Sequence, residues 1–130
     1  MLLRNLKIYR TPKTPQVDFN ASSGVFLISG VSVPEDSMGF YGNLISWLKD
    51  YIKTPTENTI LTFKLSYVNT SSLQFIYDLL LLLDKIKNEE SNVIIEWYYL
   101  AEDDDMKEMG EDFKEAVNID FTFCSVDSVE

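Results

Sequence analysis

The sequence has no histidine and a single cysteine in 130 residues. Without histidine there is no imidazole general base, no His metal ligand and no Ser-His-Asp triad. One cysteine, Cys124, excludes an internal disulfide and a thiolate zinc cluster. A lone thiol of this kind is expected to be buried in a reducing compartment. Basic residues are also scarce: 11 against 21 acidic ones, a net charge of −10. Nucleic acid and anionic membrane surfaces are therefore poor partners, since both need a basic footprint. The longest leucine run, Leu79 to Leu83, is far too short to span a bilayer. The opening MLLRNLKIYR lacks the apolar stretch of a signal peptide, so the expected location is the cytoplasm.

What is present is core material. The chain is 45% hydrophobic and 13% aromatic, and its length suits one domain spanning residues 1–130. Residues 1–13 read as an extended lead-in, because the prolines of RTPKTP, Arg10 to Pro15, oppose helix and ladder. QVDFN and VFLISG flank Ala21-Ser22-Ser23-Gly24, which predicts a β-hairpin. Phe40, Tyr41, Leu44, Ile45, Leu48, Tyr51 and Ile52 recur at helical spacing, predicting a helix from Ser37 to Lys53. Alternation in TILTFKLSYV puts Leu61, Phe63, Leu65 and Tyr67 on one face of a strand. A second helix is expected from Ser71 to Asn88, a strand in NVIIEWYY, a third helix from Asp103 to Val117 and a last strand from Phe121 to Val126. The order β-β-α-β-α-β-α-β predicts an α/β fold: one mixed five-stranded sheet with helices packed on it. Trp47, Trp97, Tyr98 and Tyr99 read as core and edge packing.

Most chemical motifs fail on inspection. Glu102 to Glu115 holds eight acids and two lysines. Counted as a calcium loop from Asp103, it places Glu108 where glycine belongs and Lys114 at the last ligand position. No metal or other cofactor is expected. The acids instead suit the positive end of a helix dipole, or face a basic partner. Ser22-Ser23-Gly24 lacks the lysine of a phosphate loop. Glu35 and Asp36 are adjacent, and fit a helix cap at Asp36 or Ser37 better than a catalytic carboxylate pair.

The junction SYVNTSSLQF, residues 66–75, is more informative. Ser71 and Gln74 have capping-box spacing, while Asn69 is an alternative cap. Ser72 falls in the first turn. Thr70 is left over, on the connection leaving a strand's C-terminal end, where sites gather in open α/β sheets. A phosphate there would add a charge of about −1.5 to −2 beside free helix amides.

Several blocks, in order, resemble the SiaC-type bacterial regulatory phosphoproteins. They are TPQVDF, GVSVPED, FYGNLISWLKDYI, LSYVNTSS, VIIEWYYLAEDDDMKEMGEDF and DFTF, spanning Thr14 to Phe123. The family's G-x-S-Tyr-Pro-Glu block carries Val33 where tyrosine is usual. The resemblance implies a non-enzymatic switch with a layout like the STAS domains of anti-sigma-factor antagonists. It implies phosphorylation of Thr70 by a serine/threonine kinase, with Asn69, Ser71 and Ser72 supporting the site. It further implies dephosphorylation by a PP2C-type phosphatase, and binding of the unmodified form to a diguanylate cyclase in cyclic-di-GMP and biofilm signalling. A partner-binding face is expected from Tyr67, Ser32, Pro34, Glu35 and Asp36. The competing readings are a small carboxylate-dependent enzyme and a constitutive structural subunit using its acidic helix.

Overall fold

A computed structural model describes residues 3–87 and 89–129. The elements are β1 (Leu6–Ile8), β2 (Gln16–Asn20), β3 (Val25–Ser32), α1 (Ser37–Tyr51), β4 (Asn58–Val68), α2 (Thr70–Asp84), β5 (Asn92–Leu100), α3 (Asp104–Ala116) and β6 (Asp120–Val126). They build one mixed α/β sheet with three helices packed on it. The sheet has six strands rather than the expected five, in the order β1-β2-β3-β4-β5-β6. The additional strand is β1, inside the segment read as a lead-in. It is only three residues long, too short for its alternation to register, yet it pairs Leu6 with Phe19 and Ile8 with Val17. The proline-bearing stretch after it belongs to no strand or helix, and its Lys13 carbonyl accepts from the Val33 amide at 2.8 Å.

The β1-β2 and β2-β3 pairs are antiparallel, and β3-β4, β4-β5 and β5-β6 are parallel. Gly24 closes the β2-β3 hairpin at φ 72°, where a Cβ would come within 2.2 Å of the Asn58 carbonyl oxygen. A non-glycine residue is therefore opposed by both backbone and space.

Each parallel crossover steps to the next strand in the same direction. Right-handed crossovers in one direction leave all helices on one face. Ring contacts and register agree. Trp47 of α1 packs on Phe26, Phe26 lies two residues from Ile28, and Ile28 is opposite Phe63. Phe63 is opposite Trp97, which packs on Phe113 of α3. Tyr41 of α1 stacks on Phe75 of α2. The core lies between this face and the helices, where Phe19, Phe26, Phe63, Leu65 and Trp97 are buried with Leu44, Leu48, Ile76 and Leu79. The leucine run of α2 is mostly internal: Leu79, Leu80, Leu82 and Leu83 are buried and Leu81 is exposed.

Three helix C-termini differ from expectation, α3 only by one residue, with Val117 as its C-cap. α1 stops at Tyr51, with Ile52 as its C-cap. α2 stops at Asp84, because the amides of Glu90 and Ser91 close on the Ile86 carbonyl to turn the chain into β5. The expected endpoint, Asn88, lies outside the described residues. Cys124 is half-buried rather than buried, because it stands on β6 at the edge of the sheet, opposite Tyr98. No helix among the described residues is long and apolar enough to cross a membrane.

Candidate functional site

The C-terminal ends of β3 and β4 meet the N-terminal ends of α1 and α2. The register shifts between Gly30 and Val31, where β4 accommodates an extra residue, Ser66, so that Val31 comes opposite Tyr67 and Ser32 opposite Val68. Ser32 is fully buried and holds the next strand's exit: its carbonyl accepts from the Asn69 amide at 2.9 Å.

That bond selects the cap. Asn69, not Ser71, is the N-cap of α2, its side-chain oxygen accepting from the Ser72 amide at 3.1 Å. The capping-box reading of Ser71 and Gln74 is therefore corrected. Gln74 donates its side-chain amide to Asp78 at 3.0 Å, a contact along the helix surface. Thr70 is the first helical residue, exposed, with Ser71 exposed after it. No acidic residue occupies the first turn of α2.

Beneath this turn lies a chain of buried hydroxyls. Ser72 donates to Asn69 Oδ1 at 2.5 Å. Ser32 Oγ lies 3.0 Å from Ser72 Oγ and 2.6 Å from the Tyr41 hydroxyl. Burial pushes the Tyr41 phenol above its ordinary pKa, against the pull of the Ser32 and Ser72 hydroxyls. Nearer the surface, Ser37 Oγ and Ser71 Oγ are 2.7 Å apart, joining the first turns of α1 and α2. Among the described residues no buried side-chain polar atom lacks a partner. Exposed Thr70 thus stands on a rigid, satisfied base.

The other named residues divide. Ser72 and Ser32 are interior, and Pro34 is buried as well, so these three side chains do not form an exposed contact surface. Ser32 follows the alternation of Phe26 and Ile28 to the core face. The bulge instead turns Tyr67 off the face of Leu61, Phe63 and Leu65, where alternation had placed it, and Val68 is buried in its stead. Asp36 caps α1, accepting from the Gly39 amide at 3.0 Å. Glu35 is exposed and paired with Lys13 at 2.6 Å. The Lys13 ammonium, hydrogen-bonded to it, holds its carboxyl below the ordinary carboxylate value. Tyr67 is 59% exposed at the strand exit.

Sequence reasoning missed Met38, 72% exposed beside Ser37. Its signal was available: it is an apolar residue in the first turn of α1, off the stripe that begins at Phe40. Tyr41 and Ser37 were counted only as core and cap, and their hydroxyl contacts could not be read from spacing.

Elsewhere, Glu57, Glu89 and Glu90 line an open hollow of about 140 Å³ with Ser91 and Asn92. It sits at the opposite, N-terminal end of β4 and β5, and Glu57, Glu89 and Glu90 are exposed or half-exposed there. That is a solvated acidic rim rather than a desolvated carboxylate pair.

The family model described as SiaC family regulatory phosphoprotein matches residues 8–126. An uncharacterised protein of Pseudomonas aeruginosa is 27% identical over 125 residues, covering 96% of this chain and 99% of that protein. The crystal structure of apo-SiaC from Pseudomonas aeruginosa superposes with a TM-score of 0.84 at 27% identity, covering 94% of this chain and 99% of that one. A chain in the crystal structure of the diguanylate cyclase SiaD in complex with its activator SiaC, from the same organism, gives a TM-score of 0.86 at 27% identity. The match covers 93% of this chain and 99% of that one.

Proposed function

The chain belongs to the SiaC family of regulatory phosphoproteins, regulators rather than catalysts, and from that premise we propose that it is a binding module switched by phosphorylation of Thr70. A serine/threonine kinase adds the phosphate and a PP2C-type phosphatase removes it. The unmodified form binds and activates a diguanylate cyclase, as SiaC is the activator of SiaD. One observation carries this reading. Thr70 is an exposed hydroxyl at the first position of a helix with no acid in its first turn, with Tyr67 exposed three residues before it. The bare amide end can stabilise a phosphate, so modification leaves the fold intact. Met38 and Tyr67 supply apolar anchors of the kind found at interface centres. A hydroxyl at a strand-to-helix junction also supports the analogy with STAS-type antagonists.

A dianion inside a matched contact faces uncompensated desolvation. Losses of that kind commonly cost about 2–5 kcal/mol, or a factor of tens to thousands in affinity. The test is a binding titration of a diguanylate cyclase with the unmodified, Thr70→Ala and stoichiometrically phosphorylated proteins. Thr70→Ala should bind like the unmodified chain, and the phosphorylated form at least tenfold more weakly. Equal affinity of phosphorylated and unmodified protein defeats this reading, and α3 then becomes the better candidate surface.

A further inference from the structure

The sheet face opposite the helices carries a second surface. Toward the N-terminal ends of the strands it carries an aliphatic row: Val25, Ile60 and Ile94 lie side by side on β3, β4 and β5, with Leu27 one rung away. Val25 is 51% and Ile94 38% exposed. Around them stand Lys7, Asp18, Glu96 and Asp120, paired in register with this face, and Lys64, which lies over the Tyr98 ring. An apolar patch bordered by polar and charged groups is the anatomy of an interface. The four strands β3 to β6 are parallel, and parallel sheets are normally covered on both faces. Here the helices cover one.

We propose that this face packs against the same face of a second copy of the chain. Charge selects the occupant. The chain carries −10, yet Lys7, Arg10 and Lys64 balance Asp18, Glu96 and Asp120 on this side, where Arg10 donates to Ser29. A basic partner suited to the whole molecule is drawn to the acidic first turn of α3, not here. Two copies meet here without net repulsion, and a two-fold contact can set Lys64 of one against Glu96 of the other. Size agrees with a reversible association. The six strands run from three to eleven residues, and at about 3.3 Å per residue and about 4.8 Å between strands they give a flat area of about 700 Å². That is close to the about 800 Å² per partner of a standard interface.

The experiment is sedimentation equilibrium from micromolar to millimolar protein, with circular-dichroism melts as the folding control. The unmodified chain should show a concentration-dependent dimer. Val25→Lys and Ile94→Lys should each weaken it at least tenfold. Val25 is the safer site for folding, because its side chain is already half in water. A monomer throughout this range overturns the proposal. So does a dimer that both variants leave unchanged, which places the contact on another surface. A monomer whose Ile94→Lys form loses diguanylate cyclase binding assigns the face to that effector, and overturns the proposal equally. None of these results depends on Thr70.

Discussion

α2 and α3 start in the same way and end up chemically opposite. Each begins just beyond the C-terminal end of a parallel strand. Each is capped by a side-chain oxygen accepting from an amide three residues on: Asn69 from Ser72 at 3.1 Å, Asp103 from Met106 at 3.0 Å. At the next position α3 carries Asp104, followed by Asp105, whereas α2 carries Thr70, followed by Ser71. The positive end of the α3 dipole is therefore compensated permanently. That of α2 is left to a group that can gain and lose charge. One backbone device gives a fixed anion in one place and a switchable one in the other.

The caps also differ in what lies behind them, and the largest expected effect tests this. Asp103 caps an exposed turn. Asn69 additionally accepts from the buried Ser72 hydroxyl, which continues to Ser32 and Tyr41. Asn69→Ala should cost about 2–4 kcal/mol, combining a lost cap with a buried hydroxyl whose proton is left only the long contact to the Ser32 carbonyl at 3.4 Å. Asp103→Ala should cost about 1 kcal/mol, the cap alone. Chemical denaturation of both variants measures the difference. Equal losses would mean that the hydroxyl chain adds nothing to the α2 start.

The second contrast lies in how each helix is held down. α2 packs through leucines against α1 and the core. α3 sits close on Trp97, whose indole N–H donates to the Met106 carbonyl at 2.9 Å. Gly110 permits that approach: a Cβ there would fall 2.5 Å from the Trp97 ring. Gly110→Ala should cost about 1–3 kcal/mol, as overpacking does, despite alanine's better helix propensity. A gain in melting temperature instead would show that α3 can lift off Trp97 freely. The same variant should leave effector binding at the α2 end unchanged, since Thr70 lies on another helix, at the exit of β4, while Gly110 lies well inside α3.

Much of this arrangement was legible in the sequence, because it rests on periodicity. The alternation of Leu61, Phe63 and Leu65 and the helical stripe from Phe40 to Tyr51 identify core faces directly. The acids opening α3 stand where dipole complementarity predicts. What escaped depends on tertiary contacts. β1 is a strand only because β2 pairs with it. Asn69 wins the cap over Ser71 because the Ser32 carbonyl holds its amide, and the β4 exit is brought opposite Ser32 by a bulge at Ser66 that breaks the period of two. Met38 was readable as an apolar residue off the Phe40 stripe, but its place beside the strand exits follows only from the fold.

The smallest effect is the sharpest test of the opening contrast. Thr70→Asp gives α2 the residue that α3 has at the same helical position. If the two termini are equivalent, it should raise stability by about 0.3–1 kcal/mol, and Asp104→Thr should lower it by a similar amount. The double exchange should come out near neutral, because the sites lie on separate helices without shared partners. Both single effects should shrink in about 1 M salt, where the screening length falls to about 3 Å. Denaturation midpoints at low and high salt decide this. Thr70→Asp should also weaken effector binding while leaving the fold intact, though less than phosphate does, since a carboxylate carries a smaller charge. A stabilised protein that binds poorly is the signature of an anion welcomed by the helix and refused by the partner. A destabilised Thr70→Asp would mean that the α2 terminus does not accept an anion at its first position. The phosphate would then have to be stabilised by groups other than the helix amides.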